Sequence, residues 1–212
     1  MKKNIYILFI FTLINFNATS QINNLSGPRV GAVFISASPA SSFLRGDLAL
    51  DQTGELPPSY DDFAKGSLTS LYGWQFESRF ADGYDVTGIV EWIILVGGME
   101  KGFFLPSVSS MVGVRTAKGI ELAVGPNLSL GGIAMVIGAG YNFKFGNLNL
   151  PVNVAYVPSM NKTYDHEAEY DHTHMWDDEG NPLEPVLKKP AYSVTHPTGA
   201  RVSIMVGFNL SK

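Results

Sequence analysis

The segment 165–174 holds the chain's densest group of side chains that can bind a metal ion. Its sequence is Asp-His-Glu-Ala-Glu-Tyr-Asp-His-Thr-His. In an extended segment His172 and His174 point to the same side, so both imidazoles could reach one ion, and a neighbouring carboxylate would complete a nitrogen-and-oxygen shell typical of zinc, nickel or copper. The candidate ligands of a divalent metal are His166, His172 and His174. The alternative is a solvated acidic loop in which the histidines bind nothing.

The residues that covalent catalysis would need are missing or badly placed. The chain has no cysteine, which excludes a thiol nucleophile, a disulfide scaffold and a thiolate metal site. A serine nucleophile needs a base within hydrogen-bond distance. Ser203 has no evident base, and the nearest histidine to a predicted strand is His196. We therefore expect no enzymatic activity, no catalytic residue and no cofactor apart from the candidate metal.

Composition narrows the class of protein further. Charged residues are 16% of the 212 residues, apolar and aromatic residues are 45%, and there are 22 glycines. Ordinary soluble domains have about 25% charged residues. A formal net charge of −4 argues against a nucleic-acid partner, and the high apolar content argues against a disordered chain.

The first twenty residues predict an export signal. Two lysines precede the apolar run 5–14, which is too short to span a bilayer as a helix but typical of a signal-peptide core. Small side chains at Ala18 and Ser20 fit the cleavage-site positions. We expect residues 1–20 to be a cleavable signal peptide and 21–212 to be one exported domain. An N-terminal membrane anchor is the alternative.

Alternation of apolar and polar residues with a period of two dominates the rest of the chain, which predicts strands with one apolar and one polar face. The runs are about 29–37, 70–80, 85–96, 103–115, 119–130, 132–145, 147–158 and 198–210. Most are longer than the usual strands of soluble sheets, and they are long enough to cross the hydrocarbon of a bilayer when tilted.

The connections between these runs alternate in length. The long ones are the first, about 38–69, and the seventh, about 159–197, whereas the even-numbered ones are short. An up-and-down barrel places odd connections at one rim and even ones at the other, as outer-membrane barrels do. The fold we expect is therefore all-β: an eight-stranded antiparallel up-and-down transmembrane β-barrel after the signal peptide. The two long loops carry net charges of −3 and −5.

Residue types indicate which face of the barrel is outside. The polar face is mostly Gly, Ser and Asn with a near-balanced set of charges, which fits a narrow lumen. The apolar face carries aromatic residues expected at bilayer interfaces: Tyr72, Trp74, Trp92, Tyr141, Phe143 and Tyr156. The alternative is a soluble, exported lipocalin-like barrel that turns its apolar face inward around a small ligand.

Charged residues on the inward face are expected to form ion pairs, since unpaired charges there would be costly. The carboxylates are Glu77, Glu91 and Glu121, and the cations are Arg29, Arg79, Arg115 and Arg201. An eight-stranded barrel is only wide enough for its own side chains, so a wide pore is not expected. We interpret Pro126 and Pro151, which fall inside predicted strands, as local bulges. The apolar first loop is expected to fold over the barrel rim.

The chain resembles a known family in its layout. The relevant features are the signal peptide, the eight runs, the segment Tyr72-Gly73-Trp74-Gln75-Phe76-Glu77 and the ending Val206-Gly207-Phe208-Asn209-Leu210. These are similar to small eight-stranded bacterial outer-membrane barrels, the OmpA-transmembrane-domain or OmpX-like proteins. The resemblance implies a fold and a compartment, the cell outer membrane, and it transfers no site residue.

The function expected from these features is a structural or interaction role. Adhesion or partner docking would use the loops 38–69 and 159–197. The expected partners are outer-membrane lipid and an extracellular or membrane protein, not nucleic acid.

Overall fold

The computed structural model describes residues 26–47, 65–145, 148–171 and 185–210. The predicted signal peptide, together with His172 and His174, lies outside the described residues. The described chain is nearly all β-structure, arranged as a closed antiparallel barrel of eight strands. The expected all-β, eight-stranded antiparallel up-and-down barrel is thereby confirmed. The membrane-spanning character of the barrel and the signal peptide stay predictions.

Neighbours in the chain are neighbours in the barrel, and the last long strand closes it by pairing with both the seventh and the first. The barrel strands are β1 (Ser26–Ile35), β2 (Ser67–Asp82), β3 (Val86–Gly97), β4 (Leu105–Thr116), β5 (Ile120–Ser129), β6 (Gly132–Phe145), β7 (Leu148–Val157) and, after four short strands, β12 (Arg201–Gly207). A two-residue strand, β13 (Asn209–Leu210), continues β12 along β7. Each predicted run agrees with its strand to within a few residues.

The long connections leave the same rim of the barrel, and both contain regular structure. The first includes helix α1 (Pro39–Arg45), and the seventh is a two-part hairpin: β8 (Asn161–His166) pairs with β11 (Tyr192–Pro197), and β9 (Glu169–Asp171) pairs with β10 (Val186–Lys189). We call β8–β11 the hairpin arm. The sequence analysis treated this connection as a loop and missed the arm. In the described part of the chain no helix is long and apolar enough to cross a bilayer.

The outward face of the barrel is apolar, as predicted. The six aromatic residues named above are each 42–45% exposed. Val124, on the apolar face, is 46% exposed, whereas Gln75, on the polar face, is fully buried. Among the exposed residues of the eight barrel strands, the charged ones in the described chain are Asp82 and Lys144. Both lie beside a short even-numbered turn.

The strands pass the two prolines without a change of register. In β4–β5 the ladder omits the pairs between Ser109–Asn127 and Val112–Val124, which is where Pro126 lacks an N–H. Similarly, the β7 ladder is interrupted at Pro151, between its pairing with β12 and its pairing with β13. The numbers of paired residues add to the same value on both sides of each gap, so neither strand contains an extra residue. The bulges expected from the sequence are therefore wrong. These sites are gaps in otherwise continuous ladders.

Glycine permits close contact between strands where the barrel wall bends. A Cβ built on Gly73 would lie 1.9 Å from the carbonyl oxygen of Ile94, and one built on Gly125 would lie 1.9 Å from that of Ser110. No side chain fits at such distances. The inward glycines therefore act as kinks that let a narrow barrel close.

Candidate functional site

The lumen is divided along its axis into two chemically different halves. Near the short even-numbered turns lies a set of polar and charged side chains that we call the ionic layer: Arg29, Gln75, Glu77, Glu91, Arg115 and Glu121. Near the long connections most of the inward side chains are apolar, with a few polar ones among them. Glycines and small residues lie between the two halves. Strand alternation places both sets inside the barrel, since all of these residues share the inward parity.

Arg115 is the centre of the ionic layer. Its Nη1 donates to Glu77 Oε1 over 2.6 Å, its Nη2 pairs with Glu77 Oε2, and its Nε pairs with Glu121 Oε1. Arg115 and Glu121 face each other directly across β4 and β5. A planar guanidinium can satisfy two carboxylates in this way because its donors form a fixed fork. The expected ion pairing of inward charges is confirmed for Glu77 and Glu121.

A neutral amide connects the remaining charges of the layer. Arg29 Nε donates to Gln75 Oε1 over 2.8 Å, and Gln75 Nε2 donates to Glu91 Oε1. Arg79 lies at the edge of the layer, with its Nε 3.9 Å from Glu77 Oε1. Arg201, the fourth expected cation, lies in the other half of the lumen. Of the four candidate cations, Arg201 is therefore the one placed away from the ionic layer.

The ionic layer closes the lumen to solvent. Arg29, Gln75 and Glu77 are each no more than 2% exposed. Their side chains fill the cross-section, as expected for an eight-stranded barrel.

The apolar half encloses a cavity of about 400 Å³. Volumes of about 300–1,000 Å³ are typical of small-molecule sites. The ten residues of the hydrophobic core all line it: Val33, Ile35, Leu44, Leu71, Ile93, Leu95, Met111, Val136, Val157 and Met205. The hydrophobic core of this protein therefore lines the wall of a cavity. Phe43 and Leu130 also line the cavity and are 42% and 70% exposed, so it opens at the rim of the long connections.

Helix α1 forms part of the cavity mouth. Ser38 caps it by accepting from Ser41 N–H over 3.2 Å, while Ser38 N–H donates to Ser41 Oγ over 2.9 Å, a reciprocal capping box. The helix buries Leu44 against the core and places Phe43 against Phe103, with ring centroids 4.6 Å apart. The expectation that the first loop folds over the rim is confirmed for this part. The remaining apolar residues of that loop, within 48–64, lie outside the described residues.

A short 3₁₀ turn, Met99–Lys101, precedes Phe103 and so lies beside α1 at the mouth. Glu100 accepts hydrogen bonds from the Ser70 hydroxyl, from Thr69 Oγ1 over 2.5 Å and from Ser70 N–H over 3.1 Å. These bonds, led by the one from the Ser70 hydroxyl, favour the carboxylate and lower the pKa of Glu100 to about 2. The β3–β4 connection is thus tied to the start of β2.

Two polar atoms in the cavity wall have no hydrogen-bond partner among the described residues. Arg201 Nη1 donates to Ser129 Oγ over 2.9 Å, so the side chain extends from β12 across the mouth to β5, while its Nε is buried and unsatisfied. Asn127 Nδ2 donates to Ser109 Oγ over 2.9 Å, while Asn127 Oδ1 is unsatisfied. Buried polar groups in native proteins normally have a partner. These two atoms are therefore places where a ligand or water would bind.

The candidate metal ligands are only partly described. His166 lies on the hairpin arm, stacked on Tyr192 with ring centroids 4.6 Å apart. His172 and His174 lie outside the described residues, and among those described no group of three potential ligands could hold a metal ion. His196 is buried on β11, opposite Lys162 and four positions along the arm from His166. The site at His166, His172 and His174 stays a prediction.

The comparisons with known proteins give no further assignment. No family model matches the chain, and no curated protein or solved structure is significantly similar to it. Membership in the OmpA-transmembrane-domain or OmpX-like family also stays a prediction. Sequence reasoning missed the cavity, whose only sequence signal was the run of apolar inward residues at one end of several strands.

Proposed function

We propose that this chain is an integral barrel of a bacterial outer membrane, closed to conduction, with a structural or interaction role at the cell surface. The observation that carries the proposal is the outward face. The described barrel strands expose apolar side chains along their length, and their exposed charges are confined to the short-turn rim. Lipid suits such a face, whereas water would not, since soluble proteins rarely expose continuous apolar patches of this kind.

The height of the apolar face supports the same compartment. On β3 the outward residues from Val86 to Val96 are uncharged. Eleven residues at about 3.3 Å each, tilted by about 40°, span roughly 28 Å along the barrel axis. This is close to the apolar band of about 25 Å in outer-membrane barrels.

The interaction role rests on the two long connections. Both leave one rim, opposite the short turns, and the hairpin arm extends the barrel wall beyond that rim. Outer-membrane barrels keep short turns on the periplasmic side and long loops outside. The arm and α1 would therefore face the exterior, where they are placed to contact an extracellular or membrane-protein partner.

A second function, the binding of a small molecule inside the barrel, is supported by the cavity of about 400 Å³. The alternative given by the sequence combines small-molecule binding with a soluble, lipocalin-like barrel. Here it is compatible with a membrane barrel, because the cavity is inside while the outer face is also apolar.

Fractionation and gel migration test the proposal on the full-length chain. We expect the protein to sediment with outer membranes, to need detergent for extraction and to migrate faster before boiling than after it. Recovery from the soluble fraction without detergent would contradict membrane residence. Whether the lumen is closed to ions is tested separately in planar bilayers. Stable single-channel conductance there would contradict a closed lumen.

A further inference from the structure

We infer that the cavity binds a single-chain anionic amphiphile, with its hydrocarbon tail against the apolar core and its acidic head group at Arg201. This inference deepens the second function proposed above by naming the class of ligand. It rests on the shape and lining of the cavity and on the cation at its mouth.

The width of the barrel selects a single chain. An eight-stranded barrel has an interior just wide enough for side chains or one small ligand. The cavity wall on β3 runs from Ile93 to Gly97, about 13 Å along the strand. A group the size of a water molecule takes roughly 30 Å³. The cavity therefore accommodates about ten to thirteen methylene-sized groups, enough for one straight tail.

The depth of the cavity is suited to a tail alone. Met111, Val136 and Met205 line its inner end and are each no more than 4% exposed. Burying a methylene there is favourable, because it removes apolar surface from water. The ionic layer beyond is already hydrogen-bonded within itself. The tail would thus enter from the open end and stop above that layer.

The polar head is assigned from the unsatisfied cation. Arg201 spans the mouth from β12 to Ser129, and its buried Nε lacks an acceptor among the described residues. A carboxylate or phosphate oxygen at the mouth would accept from this N–H and pair with the guanidinium charge. Asn127, deeper in the wall, offers one further polar contact through its unsatisfied Oδ1.

The test uses the mature chain refolded in a zwitterionic bile-salt detergent, whose rigid ring system cannot imitate a straight tail. Folding is checked first by heat-modifiable migration, so that a failure of the barrel proposal is separated from a failure to bind. Dodecanoate is then titrated and bound ligand is counted by native mass spectrometry. We expect one dodecanoate per chain. A well-folded chain that binds none would overturn the inference while leaving the membrane barrel intact.

Two adjacent positions on β6 provide a matched pair for the tail. Val136 lines the cavity and is 4% exposed, whereas Ile137 faces outward and is 57% exposed. We expect Val136→Phe to weaken dodecanoate binding by about tenfold or more, because it fills the cavity. Ile137→Phe should leave binding unchanged. If both variants bind dodecanoate equally and both show native gel migration, the tail does not bind in this cavity.

A third comparison tests the head group. Arg201→Gln should weaken dodecanoate binding by about tenfold, the worth of one charge-assisted hydrogen bond, and should leave binding of uncharged dodecanol unchanged. Arg201→Lys should restore part of the loss. Lys144→Gln, which removes an exposed cation at the other rim, is the control. If Arg201→Gln weakens both ligands equally, Arg201 acts only through the shape of the mouth, and the anionic head group is wrong.

Discussion

Arg115 and Glu77 form a bidentate ion pair although their strands, β4 and β2, are separated by β3. The distance from Nη1 to Oε1 is 2.6 Å. Because the pair crosses the lumen, it links strands that share no backbone hydrogen bond. On β3 itself Glu91 lies directly opposite Glu77, so the two carboxylates rely on separate partners, Arg115 and Gln75, to remain buried side by side.

We predict that Arg115→Met lowers the free energy of unfolding by about 3–5 kcal/mol. The substitution leaves the buried Glu121 without its ion-pair partner and leaves Glu77 with only Arg79, whose Nε is 3.9 Å away. The measurement is urea unfolding from lipid vesicles. Adding Glu77→Gln and Glu121→Gln to the same chain should recover part of the loss, since no uncompensated charge then remains. Arg79→Met is the control. Arg79 lies 3.9 Å from Glu77, and its removal should cost less than about 1 kcal/mol. A loss for Arg115→Met no larger than for Arg79→Met would contradict the role of the layer.

A second prediction concerns the outward face. Val124 lies in the middle of β5, and Phe80 lies near the short-turn end of β2. An arginine at Val124 should cost about 2–4 kcal/mol of folding stability in vesicles, whereas one at Phe80 should cost about 0–1 kcal/mol, because the cost of a lipid-facing charge falls toward the interface. The same unfolding assay measures both. Equal, small costs at the two positions would indicate that this face contacts water.

A third prediction concerns the close approach of β2 and β3. Gly73→Ala should destabilise the barrel by about 1–3 kcal/mol, because the added methyl group overlaps the carbonyl oxygen of Ile94 and the wall must shift. Gly131→Ala is the matched control. Its nearest neighbour would be Ser129 Oγ at 3.7 Å, an ordinary contact. If the two substitutions have the same effect on the urea midpoint, the kink at Gly73 is not a structural requirement.

A fourth prediction follows from Glu100. Its folded pKa, about 2, lies below the ordinary value of 4.5. The carboxylate tie to β2 therefore contributes fully above about pH 4.5 and is lost as the pH falls through about 2. Hydrogen exchange of the Ser70 amide, which donates to Glu100, measures this tie as a protection factor. Protection should fall at low pH in the parent chain and should be lower and nearly independent of pH in Glu100→Gln. An unchanged pH profile in the variant would exclude Glu100 as the cause.

The strands and their faces were predictable because alternation is a local property of the sequence. Tyr72, Trp74 and Phe76 share one parity whatever their neighbours are, and the structure exposes all three. The ionic layer was predictable in part, since the inward parity of Glu77, Glu121 and Arg115 was visible. The choice of partners was not, because it depends on the register between strands.

The cavity, α1 and the hairpin arm could not be derived in the same way. Glu91 and Ile93 are both inward residues of β3, and only the stacking of eight strands places one in the ionic layer and the other in the cavity wall. For the same reason the inward parity of Arg201 made it one of four candidate cations for the carboxylates, although it lies in the other half of the lumen. In the arm, β8 and β11 pair over an intervening segment of about 25 residues. β8 is exposed along nearly all of its length, and the alternation of β11 covers only six residues. A two-stranded ribbon buries too little to leave a clear pattern.

The strand pair that closes the barrel, β1 with β12, limits the order in which the protein can assemble. Ser36 and Ala200 exchange two hydrogen bonds of 2.8 Å although 164 positions separate them in the chain. The first strand therefore has no permanent neighbour on one side until the final strand has been delivered. If the barrel is inserted into a membrane as proposed, the earlier strands must be sheltered until β12 arrives. A chain truncated before β12 would retain two open strand edges, which promote aggregation.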